Sequence, residues 1–97
     1  MHSLKVPVAQ RWCYTIYFEH VVGHGTFAHC VVHTKWSKLV KQMLASGWHL
    51  VTTAHGGQIH ALHDPKDKKH KKFIKIFGFA YQETLEDGKE LWVWRNK

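Results

Sequence analysis

Lysines and aromatic rings carry the nearest thing to a recognisable chemistry in this 97-residue chain. From Lys66 the sequence reads Lys-Asp-Lys-Lys-His-Lys-Lys; beyond it, Phe73, Lys75, Phe77, Phe79 and Tyr81 alternate with Ile74, Ile76, Gly78, Ala80 and Gln82. Ammonium groups at the mouth of a strand that turns its rings outward neutralise phosphates beside surfaces on which bases stack. Lys66, Lys68, Lys69, Lys71, Lys72 and Lys75 are thus candidate phosphate contacts, with Phe77, Phe79 and Tyr81 as stacking residues. Lys38 and Lys41 extend the charge along a predicted helix face. If Phe77, Phe79 and Tyr81 instead turn inward, they are core and the lysines form a solvated loop.

Histidine is the second chemistry. The chain has ten, but no Cys-x-x-Cys or His-Glu-x-x-His spacing gathers them for zinc. His29 and His33 fall on a predicted strand, where four residues span about 13 Å, too far for a shared ion. A site assembled across strands from His29, His55 and His60, or a histidine-based hydrolase, is a distant third reading. Most carboxylates fall in turns or in the basic run, and Cys13 and Cys30 lie in apolar strands where a thiol is inert and reduced. The expectation is a protein that is not an enzyme and holds no cofactor and no metal.

These residues need a scaffold. The length suits one domain, and five Trp, five Phe and three Tyr provide a core. Fourteen Lys and Arg against seven Asp and Glu leave a net charge of +7, which attracts phosphate-rich or acidic partners. No apolar run reaches the ~20 residues of a membrane span, and no leader pattern opens the chain. The expected location is cytoplasmic, with no membrane contact.

Trp36, Leu39, Val40, Met43 and Leu44 recur at helical spacing, with Thr34 as N-cap and Gly47 as terminator, which predicts one helix over about 35–46. Residues 11–19 and 26–33 alternate as strands around a glycine turn and predict an antiparallel hairpin. Gly56-Gly57 between two alternating runs predicts a second hairpin, and Asp87-Gly88 a third turn before a last strand with Trp92 and Trp94. Residues 1–10 are expected as an arm and 64–72 as a basic loop. Residues 11–97 then form a single α+β domain, a twisted antiparallel sheet of five to six strands with one helix on one face, in the order β-β-α-β-β-β with room for one more strand.

The run Lys75-Ile-Phe-Gly-Phe-Ala-Tyr resembles part of the aromatic strand motif of RNA-recognition domains, which would put Phe77 and Phe79 at stacking positions. It departs at Ile76, where that motif has Gly, and the order of elements differs from the β-α-β-β-α-β of that family. The leading reading is a small binding protein for nucleic acid, RNA or single-stranded DNA favoured. Its rival is a phage- or mobile-element-type inhibitor that binds an acidic host protein through its basic or Trp-rich surface. Either would act as a monomer or as an edge-strand homodimer.

Overall fold

A computed structural model describes residues 3–95; the first two residues of the expected arm and the last two of the expected domain lie outside the described residues. Six strands form one mixed sheet in the order β1-β2-β3-β4-β6-β5, and two helices cover one face. Strands β1 (Ser3–Gln10), β2 (Tyr14–Val21) and β3 (Gly25–Val32) come first, then helix α1 (Lys38–His55), strand β4 (Ile59–His63), helix α2 (Lys68–Phe77), and strands β5 (Ala80–Thr84) and β6 (Glu90–Trp94).

The β2–β3 hairpin forms as the alternation predicts, with Gly23 and Gly25 at positive φ in its turn. The β5–β6 hairpin turns at Asp87-Gly88, where the Asp87 carboxylate accepts from the Lys89 N–H. Elsewhere the expected outline changes. Residues 3–10, read as an arm, pair with β2 as an edge strand whose register shifts between Pro7 and Ala9; an edge tolerates the missing N–H of proline.

The first helix starts later and runs far longer than 35–46. Ser37, not Thr34, is its N-cap, accepting from the Val40 N–H. Gly47 lies inside it, and Gly56 ends it with φ 69° and an N–H donated to the Thr52 carbonyl. The Gly56-Gly57 pair is therefore a helix terminus and not a hairpin, and residues 49–55 are helical. Val40, Leu44, Gly47, Trp48 and Thr52 are the buried face, whereas Trp36 and Leu39 stay exposed.

The basic run is half a helix. Asp67 accepts from the His70 N–H as N-cap of α2, and Gly78, with φ 82°, donates to the Ile74 and Lys75 carbonyls as its end. Phe73 to Phe77 is thus helical, and its apparent alternation is the inner edge of an amphipathic stripe.

Two crossovers set the architecture. β3 joins β4 in parallel through α1, and β4 reaches β5 through α2 in the same direction across the sheet, so both helices fall on one face. Trp48 ties them together: its Nε1 donates to the Phe77 carbonyl at 2.9 Å, and its ring stacks on Phe77 with centroids 4.5 Å apart. Ile16, Phe18, Ile59, Ala61 and Ile74 complete this core. The structure is a small α+β domain whose sheet is mixed, with two helices where one was expected.

Candidate functional site

β3 and β4 are bonded through only two register pairs, Thr26↔Ile59 and Phe27↔His60. Beyond them the strands separate, and the main chain of β3 from Ala28 to Val32 has no strand on that side. A parallel pair that splits in mid-sheet leaves amide donors and acceptors open to an extended ligand, and it opens a cavity on each face.

On the helical face, a cavity of about 610 Å³ is walled by Cys30 and Val32 of β3, Trp36, and Phe73 of α2. Trp36 and Phe73 meet edge to face with centroids 5.4 Å apart. Lys35, Lys69 and Lys72 line the same cavity, beside the N-terminus of α1, whose dipole also favours negative charge. No carboxylate lines it. Burial pushes the Cys30 thiol up to about 12, so this sulfur stays a neutral wall rather than a nucleophile. The connection from His33 to Ser37 contains no glycine, so the groups that could meet an anion here are lysine ammonium groups and not a glycine cradle of backbone N–H groups.

On the open face, a trough of about 590 Å³ is walled by Val21, Phe27, Leu62, Leu85 and Leu91, with Glu19, His24, His29 and Glu83 as its polar members. His29 lies two residues past the last β3–β4 pair, and its Nε2 is 2.7 Å from Glu19 Oε1. A carboxylate on Nε2 fixes the hydrogen there and leaves Nδ1 as the basic atom. Hydrogen bonds from Ser3 and from His29, and the charges of His29 and Lys5, hold the Glu19 carboxyl below its usual range against a smaller opposing effect of burial. Glu19 is therefore an anion that orients and supports the imidazole.

The residues expected to carry function are placed differently. Phe77 and Phe79 are buried beneath Trp48, and Tyr81, exposed on β5, bonds Thr84 through its hydroxyl. The three do not form a stacking platform, because Phe77 ends a helix and with Phe79 turns into the core, leaving Tyr81 alone exposed. Lys66, Lys68, Lys71 and Lys75 are exposed on and before α2, and Lys38 and Lys41 on α1; among the lysines of the run, Lys69 and Lys72 reach the cavity. His29, His55 and His60 do not converge: His29 pairs with Glu19, His55 packs on Phe18, and His60 lies beside Phe27. Among the described residues no cluster of three metal-ligating side chains occurs, both cysteines are free thiols, and no helix is long and apolar enough to cross a membrane.

No family model and no curated protein matches the chain. Among solved structures it is similar to the GNAT domain of PAT from S. lividans, with a TM-score of 0.68 at 15% identity over 97% of this chain. The chain spans 60% of the length of that domain. The likeness is one of fold. It overturns the reading of a non-enzymatic nucleic-acid binder, and with it the inhibitor alternative, in favour of a domain with an acetyltransferase-like fold.

Proposed function

We propose that the chain is an acyltransferase-type module that takes an acyl group from a phosphorylated, amide-containing thioester carrier, coenzyme A being the model compound, and passes it to an amine. The observation that carries this reading is the β3–β4 split, with a lysine-lined cavity on one face and a histidine–carboxylate pair on the other. Lys35, Lys69 and Lys72 neutralise phosphates by charge-assisted contacts. The free edge of β3 offers its amides to an extended carrier, and Val32, Trp36 and Phe73 shelter apolar atoms. The fold shared with a GNAT domain supports the same assignment.

The trough supplies the second half of the reaction. His29 Nδ1 accepts a proton from the attacking amine as the new carbon–nitrogen bond forms, and Glu19 stabilises the imidazolium through Nε2. The carbon–sulfur bond breaks, and the thiolate leaves with the electron pair and is protonated by solvent. Glu83, together with the apolar walls, selects an amine with an apolar body.

The direct test follows thiol release from acetyl-coenzyme A in the presence of a panel of aliphatic and aromatic amines. Release should require both chain and amine, and His29→Gln should lower it by roughly 10²-fold or more, the usual worth of a positioned base. Release no faster than the blank, or equal in the His29→Gln variant, would refute the assignment.

A further inference from the structure

A pair of histidines, outside both cavities, meets ring to ring. His63 ends β4 and is 1% exposed; His70 lies in the first turn of α2. Their Nδ1 atoms are 2.9 Å apart, with the ring planes inclined by 22°. At that distance one Nδ1 carries the hydrogen and the other accepts it. A first added proton goes to the remaining nitrogen of the donor ring, and the bond persists in charge-assisted form. A second has to enter at the accepting Nδ1. It would set two N–H groups and two positive charges face to face.

The neighbours relieve that conflict only in part. Burial and then the charge of His63 hold His70 below the ordinary histidine range, His29 on β3 adds to this, and Asp67 alone opposes it. Asp67 is already engaged by the His70 N–H at 3.0 Å. Glu90 of β6 stands opposite His63 in the sheet register, but its carboxylate accepts from Trp92 Nε1 at 3.0 Å. Lys69 and Lys71 flank His70 in sequence, so no further carboxylate adjoins it there. The same turn begins the helix that carries Lys69, Lys72 and Phe73 into the lysine-lined cavity.

We propose that His63 and His70 form a proton-operated clasp on the donor cavity: a second proton on the pair separates the first turn of α2 from β4 and withdraws Lys69 and Lys72 from the ligand. The regulatory role rests on the donor reading of the cavity, whereas the clasp can be tested without any ligand. Histidine side-chain NMR and amide hydrogen exchange of the whole chain would be followed from pH 7.5 to 4.5, with coenzyme A affinity measured in parallel. The pair should titrate in two separated steps. The lower step should coincide with a tenfold or greater loss of protection at residues 68–73 and with a tenfold or greater loss of coenzyme A affinity. His70→Asn retains an acceptor for His63 and takes no second proton, so it should keep its protection through that step. Two histidines titrating independently with unchanged protection, or a His70→Asn chain that loses protection at the same pH, would overturn the clasp. Two steps with the loss of protection, but no coenzyme A binding at any pH, would uphold the clasp and refute the donor reading.

Discussion

Gly47 shows how closely single residues are fitted. A Cβ at this position would meet the Tyr14 hydroxyl at 2.0 Å and Cζ at 2.9 Å, and Tyr14 is buried at 2% exposure, so making room for it means displacing a packed ring. Glycine-to-alanine inside a helix ordinarily stabilises by about 0.5–1 kcal/mol. Here Gly47→Ala should destabilise by about 1–3 kcal/mol through overpacking, read from urea unfolding; a gain in stability would show that Tyr14 moves freely. Glu19 gives the pH signature. Its carboxyl is held below its usual range by Ser3 and His29, so the folded chain binds fewer protons than the unfolded one near pH 4.5. That contribution is complete above the unfolded value and is lost as pH falls through the lowered one. Glu19→Gln should flatten the decline of the melting temperature between pH 5 and 2.5. At this scale the sequence was a partial guide. His29 was visible as a strand histidine and as one member of a cross-strand site with His55 and His60, but not as the partner of Glu19, which lies ten residues away and becomes adjacent only once the hairpin register is known.

Helix α2 is where reading elements from sequence failed most instructively. Phe73 and Phe77 satisfy a period of two when read with Phe79 and Tyr81, yet with His70 and Ile74 they also fall at i, i+3, i+4 and i+7. The deciding signals were at the ends: Asp67 three residues before His70, and Gly78 directly after Phe77. Caps outweigh a short alternation when the stretch between them is about ten residues long. Gly47 misled in the opposite sense, since a glycine that makes room for a tyrosine looks like a terminator. The two hairpins with well-placed turn glycines were legible because their pairing is local. The parallel β3–β4 contact was not, because it depends on a crossover. Asp67→Ala should cost about 1 kcal/mol and increase exchange selectively at residues 68–71, measured by amide hydrogen exchange; equal loss across the sheet would place the role of Asp67 elsewhere.

For the whole molecule, the decisive feature is a sheet that splits at its centre, with unlike chemistry on its two faces. Charge alone pointed to phosphate; Lys69 and Lys72 of the basic run line a cavity of about 610 Å³, which the proposed function assigns to a small phosphorylated carrier rather than to a polynucleotide. Lys69→Ala and Lys72→Ala should each weaken coenzyme A binding by roughly 3–10-fold, as expected for a partly solvated charge-assisted contact, and Lys38→Ala on the exposed face of α1 should leave it unchanged. Isothermal titration separates these variants. The most direct measurement is a titration of the isotopically labelled chain with coenzyme A, mapped by amide NMR shifts at pH 7.5. Saturable shifts centred on Val31, Val32, Lys35, Trp36, Lys69 and Lys72, with the β1 edge unmoved, are the predicted result. An absence of saturable shifts at millimolar ligand, or shifts centred away from the β3–β4 split, would contradict it.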